Sequence, residues 1–227
     1  MPTAIITGAS RGLGLALARA LARDGWRLIV DARGSGALQR AAAQLSAHSE
    51  VIAIPGDVTD PAHRTELVEA AGERIDLLVN NASHLGPSPQ PALRDLALDD
   101  LARTLGVNLL APLALIQLAL ERMPAGATII DVTSDAAVEA YGGWGGYGAS
   151  KAALEQLTAI LAVEHPELHI HAVDPGDMNT ALHQAAFPGE DISDRPPPED
   201  SVPGLLALIE GDVPSGRHRA HDVTAAA

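Results

Sequence analysis

Short apolar runs alternate with longer stretches of helical spacing along almost the whole chain. Thr3–Thr7, Trp26–Asp31, Val51–Ile54, Ile75–Asn80, Ala127–Thr133 and Leu168–Val173 are rich in Ile, Val and Leu, and read as strands. After the first run, Leu13, Leu17 and Leu21 recur at spacing four with Ala20 on the same stripe, and Asp24-Gly25 ends the pattern. Asp99 to Met123 reads as one long helix capped by Asp99 or Asp100, with leucines along one face. Pro112 interrupts it: without an N–H it leaves the Asn108 carbonyl free of its helical partner, so a kink is expected there. Ala152–Glu164 continues a helix with Leu154, Leu157, Ile160 and Leu161 on one side, and Ser201 caps a short helix, Val202–Glu210. Leu182–Asp200, with Pro196-Pro-Pro198 and scattered charge, reads as loop. Strands alternating with helices predict a single α/β domain: a doubly wound parallel sheet with helices on both faces, binding its ligand beyond the carboxyl ends of the strands.

Composition narrows the function. Hydrophobic residues make up 47% of the 227 but aromatics only 2%, so Ala, Leu, Val and Ile must build the core, and only two tyrosines are present. A net charge of −14 opposes binding to nucleic acid or to an anionic membrane surface, which need a basic face. With no cysteine, disulfides, thiolate catalysis and Cys-type zinc sites are all excluded. No uninterrupted apolar run approaches the roughly 20 residues of a membrane span, and no basic-then-apolar leader precedes the first strand, so a cytoplasmic protein is expected. His169 and His171 have no partner at metal-binding spacing and read as strand-face residues; no metal site is expected.

Two stretches carry candidate chemistry. The first strand runs into Gly8-Ala-Ser10-Arg11-Gly12-Leu13-Gly14 and then a helix, an arrangement in which glycines let backbone N–H groups at the helix N-terminus approach a pyrophosphate. In the second, Tyr147 and Lys151 stand four apart at the start of a helix and share a face. An ammonium beside the phenol should lower the tyrosine pKa toward working pH, making Tyr147 a candidate proton donor or acceptor. Ser134, thirteen residues upstream and just after a strand, delivers a hydroxyl to the same place.

The loop Thr7-Gly8-x-x-x-Gly12-x-Gly14 resembles the cofactor loop of the short-chain dehydrogenase/reductase family, and the resemblance extends over nearly the whole chain. It implies an NAD(P)-dependent oxidoreductase acting on a carbonyl or alcohol carbon of a small molecule. Asn108, Ser134, Tyr147 and Lys151 match the family's catalytic tetrad, in which the asparagine helps hold a water linked to the lysine. The implied cofactor contacts are Gly8, Ser10, Arg11, Gly12, Leu13 and Gly14 in the loop, Asp57 and Val58 against the adenine, and Asn81 and Ala82 after the fourth strand. Tyr147 and Lys151 meet the nicotinamide ribose, and Pro175, Gly176 and Thr180 the nicotinamide. Ser83 stands where the family's Asn-Asn-Ala motif continues with glycine.

Arg11 and Arg33 favour NADP(H), since both can pair with a 2′-phosphate and Ala32 replaces the acid of NAD-specific members. NAD(H) stays possible, because Asp31 would bond a ribose hydroxyl if the strand register moved by one. Leu182–Asp200 takes the place of the family's substrate lid, and specificity is expected at His84, Trp144, Met178 and His183, with Trp144 pointing to an apolar or ring-bearing substrate. A homodimer or homotetramer is implied, built on the Asp99–Met123 and Gly148–Glu164 helices. The ending Gly216-Arg-His-Arg-Ala220 and its alanine-ended tail depart from the family's and leave a seventh strand unassigned. The alternative is a non-catalytic dinucleotide-binding sensor or scaffold, which would need no Ser–Tyr–Lys set.

Overall fold

The computed structural model describes residues 1–224. Its strands β1 (Thr3–Ile6), β2 (Arg27–Ala32), β3 (Val51–Pro55), β4 (Leu77–Asn80), β5 (Thr128–Val132), β6 (His169–Asp174) and β7 (Gly216–Arg219) form one sheet in the order β3-β2-β1-β4-β5-β6-β7. Every neighbouring pair is parallel. Helices α1 (Gly12–Arg23), α2 (Ser35–Leu45), α3 (Pro61–Ala71), α4 (Leu98–Leu105), α5 (Ala111–Ala119), α6 (Gly145–Glu164), α7 (Ala181–Ala186) and α8 (Val202–Glu210) connect them.

Both faces of the sheet are covered, which is why the central strands read as unbroken apolar runs. Ile6, Leu28, Val30, Leu77 and Val79 pack with Leu17 and Leu21 of α1, Leu38 of α2 and Leu205 of α8. The alternate residues Ile5, Ile29, Leu78 and Ile129 pack with Leu67 of α3, Ile116 of α5 and Leu161 of α6. The strand order turns back between β1 and β4, so the carboxyl ends of these two strands open a crevice, as expected of a doubly wound sheet.

Several details differ from the sequence reading. Strand β2 starts one residue later than Trp26 and includes Ala32, pairing Asp31 with Ile54 and Ala32 with Pro55. The long helix is continuous from Leu98 to Arg122, but α4 passes through a wider π turn, Gly106–Leu110, before α5. Pro112 falls in the first turn of α5, and the turn ahead of it closes with Ala111 N bonding Gly106 O, the i−5 partner. Ala97 is the residue before the first turn; Asp99 and Asp100 lie inside that turn, where they favour the helix dipole instead of capping it.

By length and composition this 25-residue helix, with mean hydropathy 1.5 in its most apolar window, is long and apolar enough to cross a membrane, although charged and polar residues interrupt its apolar run. Within the fold it packs on α3 and α6 as a sheet-covering layer. The Leu182–Asp200 stretch is not all loop: Thr180 caps α7, its Oγ1 accepting from His183 N at 3.3 Å, and Ile192 is buried.

The seventh strand forms. It runs parallel to β6, from His171 opposite Gly216 to Asp174 opposite Arg219. Arg217 locks it, donating to Glu155 Oε1 of α6 at 2.9 Å and to Asp174 Oδ2 at 3.3 Å. The alanine end of the tail lies outside the described residues.

Candidate active site

A cleft of about 950 Å³ opens at the carboxyl ends of the strands. Gly8, Ser10, Arg11, Gly12 and Leu13 form one wall, Arg33, Asp57 and Val58 one end, and Asn81 and Ala82 the floor. Ser134, Tyr147 and Lys151 face them beside Pro175, Gly176 and Thr180. The sequence-based candidates therefore converge on one cavity, except for Gly14 and Asn108, which do not line it.

The glycine loop fits a pyrophosphate. Gly8 and Gly12 take φ of +68° and +57°, conformations that open the backbone at the N-terminus of α1. Gly14 lies behind the wall, where a Cβ would come within 2.5 Å of Asn81 Nδ2 and 2.8 Å of Gly8 O, so its role is to let the loop close on β4. Asn81 accounts for the closeness: its Nδ2 donates to Thr7 O at 2.8 Å and Gly8 O at 3.2 Å. That amide holds the loop from below, a job distinct from touching a ligand.

Asp31, at the edge of the cleft, is already bonded within the protein. Gly8 N donates to its Oδ1 at 2.7 Å, His63 Nε2 lies 2.9 Å from its Oδ2, and the residue is 1% exposed. Arg11 and Arg33 are exposed on the cleft, and Ala32 offers no acceptor between them and the adenine end.

The tyrosine side differs from what the Tyr–Lys spacing predicts. Burial pushes the Tyr147 pKa up to about 12, and the carboxylates of Asp135 and Asp174 push the same way, while a hydrogen bond with Ser83 opposes them. Lys151 Nζ lies 5.7 Å from the ring centroid and donates to Val132 O at 2.7 Å, so its charge is spent on the end of β5. Its own pKa falls to about 8, because burial outweighs the favourable charges of Asp131 and Glu155. Tyr147 is thus held as the phenol, the proton-donating form.

Ser134 Oγ donates to Asp135 Oδ1 at 2.8 Å and accepts from Ala136 N at 3.2 Å. Asp135 Oδ2 in turn accepts from Tyr141 at 3.0 Å. Beneath Lys151, the fully buried Asp131 accepts from Asn80 Nδ2 and from Thr158 Oγ1, both at 2.8 Å, and burial raises its pKa.

Asn108 is fully buried at the π turn and saturated by its own neighbours. Its Oδ1 accepts from His84 N at 2.8 Å and Ser83 Oγ at 3.3 Å; its Nδ2 donates to His84 O and Ser150 Oγ, both at 2.9 Å. Ser150 Oγ then donates to Tyr147 O at 2.7 Å. The side chain, more than the freed carbonyl, ties the segment after β4 to α6. Ser83 is the residue that sequence reasoning underrated, since its Oγ bonds Asn108 Oδ1 and it opposes the rise of the Tyr147 pKa, and its only signal was that it replaces a glycine.

An aromatic wall completes the cleft. Trp144 meets Tyr147 edge-on at 5.9 Å and Phe187 at 5.7 Å, and His183 lies 4.8 Å from Phe187. Met178 lines the same end, but His84 does not reach it. Among the described residues no group of three or more His, Asp or Glu side chains could hold a metal ion. His171 is fully buried with both ring nitrogens unpartnered, edge-on to His218 at 5.1 Å, and burial lowers its pKa to about 4; it is a core residue of β6.

The family model for short chain dehydrogenases matches residues 2–191. The chain belongs to the short-chain dehydrogenase/reductase family. It is 35% identical to the rhamnolipids biosynthesis 3-oxoacyl-[acyl-carrier-protein] reductase of Pseudomonas aeruginosa, over 76% of this chain and 71% of that protein. It is 31% identical to mouse sepiapterin reductase, over 80% of this chain and 76% of that one. Among solved structures, an alcohol dehydrogenase from Thermococcus sibiricus complexed with 5-hydroxy-NADP superposes with a TM-score of 0.85 at 28% identity, covering 96% of this chain and 95% of that one. The protein is therefore an oxidoreductase of a family that uses nicotinamide cofactors on small-molecule substrates.

Proposed function

We propose that this oxidoreductase prefers NADP(H) and moves a hydride between the nicotinamide and a carbonyl or alcohol carbon, with Tyr147 as general acid and base. The observation that carries the reading is the meeting of Ser134, Tyr147 and Lys151 with the glycine loop on one cleft. A bound nicotinamide dinucleotide supplies the hydride in the reducing direction. The backbone of Gly8, Ser10, Gly12 and Leu13 holds the pyrophosphate, Arg11 and Arg33 the 2′-phosphate, and Asp57 and Val58 the adenine. Asn81, Ala82, Pro175, Gly176 and Thr180 bound the nicotinamide end.

Tyr147 gives its phenolic proton to the carbonyl oxygen, which becomes basic enough as hydride reaches the carbon to take it from a site that disfavours the phenolate. Ser134 turns its hydroxyl from Asp135 toward that oxygen. Lys151 swings from Val132 O toward the ribose, and from there its charge steadies the tyrosinate that the transfer leaves behind. Asn108 acts as a positioning residue, fixing Ser150 and with it the first turn of α6. The whole chain serves as one catalytic domain, with residues 182–200 as a lid over the substrate. The relatives' names, a 3-oxoacyl-[acyl-carrier-protein] reductase and a sepiapterin reductase, agree in reaction and not in substrate. The Trp144–Phe187 wall supports an apolar or ring-bearing carbonyl compound.

The test is a screen of NADPH and NADH oxidation over aldehydes, ketones, quinones and sugar-derived carbonyls. A higher kcat/KM with NADPH is expected, and Arg33→Ala should erode it more than it harms NADH use. A preference for NADH contradicts the cofactor assignment.

A further inference from the structure

Asp31 presents a difficulty for an NADP(H) site: it places a buried carboxylate one residue from Ala32 and two from Arg33, where a 2′-phosphate would arrive. We infer that His63 resolves it, cancelling the Asp31 charge and clamping the cofactor loops, and is thereby a positioning and specificity-determining residue for a 2′-phosphate-bearing dinucleotide. The inference rests on the cofactor reading above.

The geometry joins three chain segments through one imidazole. Asp31 holds the start of the glycine loop twice, through Oδ1 from Gly8 N at 2.7 Å and through its carbonyl from Ala9 N at 2.9 Å. His63, in the first turn of α3, reaches the other carboxylate oxygen at 2.9 Å, and the pair is buried at 5% and 1% side-chain exposure. The ring also fills the space beneath Gly56, where a Cβ would lie 2.2 Å from its Nδ1, and so supports the Gly56-Asp57-Val58 segment that ends the cleft. An unpaired carboxylate this deep would be costly and would repel a phosphate through a low-dielectric wall; an imidazolium partner removes both problems.

The charged groups around His63 settle its sign. Its hydrogen bond with Asp31 raises its pKa most; burial opposes, and the charges of Asp31, Glu66 and Asp60 add to the rise. Asp57, which feels both Arg33 and His63, has its pKa lowered chiefly by a backbone hydrogen bond from Thr59. A raised imidazole pKa means that the cation is present at lower pH and lost as pH climbs through that value. Affinity for NADPH should therefore decline on the alkaline side while affinity for NADH, which has no phosphate to repel, stays nearly level.

The experiment measures Kd for NADPH and NADH by calorimetry at a lower and a higher pH, about 6 and about 9, spanning the range in which imidazoles titrate, with circular dichroism as a check on folding. His63→Gln keeps an amide that can donate to Asp31 but carries no charge. It should weaken NADPH by about fivefold at the lower pH, leave NADH within about twofold, and flatten the pH dependence. Asp31→Asn removes the charge to be cancelled and should flatten the NADPH profile without that loss. Equal weakening of both cofactors, or none, in His63→Gln overturns the inference and leaves His63 a packing residue. Should that variant not fold, a wild-type NADPH-to-NADH ratio that is constant between the two pH values overturns it just as well. Tighter wild-type binding of NADH at both pH values sinks the cofactor reading itself, a distinct result.

Discussion

Tyr147 shows how a residue's chemistry is set by what surrounds it in space. The sequence places a lysine one helical turn away, and from that neighbour alone the phenol should ionise more easily. In the fold the ring is buried, Asp135 arrives from the end of β5 and Asp174 from the end of β6, and the phenol is held protonated. A group that gives up its proton only to a stronger base suits a carbonyl oxygen that is receiving a hydride. Tyr147→Phe removes one oxygen and almost no volume. Its cofactor Kd should match wild type within about twofold, and turnover should fall by about 10² or more, the usual worth of a general acid. Tyr141→Phe is the control: that hydroxyl bonds Asp135 and Glu139 at the surface and does not replace the lost one. Lys151→Met should lose turnover and cofactor affinity together, if its ammonium has both of the roles proposed for it.

At the scale of elements, most of the fold was legible because each central strand is buried on both faces and announces itself as an apolar run. Strand β7 was not, since Gly216-Arg-His-Arg219 is an edge strand with alternate residues exposed, held by ion pairs to Glu155 and Asp174 that no local pattern reveals. His63 escaped notice for a related reason. Helix α3 carries little apolar periodicity, so nothing along the chain says that this histidine faces inward to Asp31. The helix α7 hidden in the lid region is only six residues long, too short for periodicity to declare. The lid prediction follows from its contacts: Phe187 lies against Trp144 and against His183, while much of the stretch after Phe187 is exposed. Hydrogen exchange across residues 182–200 should slow when cofactor and substrate are both bound, and equal protection with and without them would remove the lid role.

For the whole molecule, four of the exposed large apolar side chains lie on the layer formed by α5, α6 and the π turn. Leu110, Leu118, Ile160 and Val163 are exposed there at 59%, 40%, 48% and 81%. Scattered singly they would mean little, but on neighbouring helices they support burial against a symmetry mate. Sedimentation should give a dimer or tetramer at micromolar concentration, and a monomer would refute the assembly. The proposed catalysis belongs to the molecule as a unit, because the glycine loop and the tyrosine with the proposed lid come from opposite halves of the chain. Its most direct test uses NADPH carrying deuterium on the transferable position, with a carbonyl substrate found by the screen. Deuterium is expected on the carbinol carbon of the product, formed about 10² or more times faster by wild type than by a Tyr147→Phe protein that binds the cofactor equally well. Cofactor binding with no label reaching any carbonyl, or a variant that keeps more than about a tenth of the rate, would contradict it and favour a protein that senses the dinucleotide without turning it over.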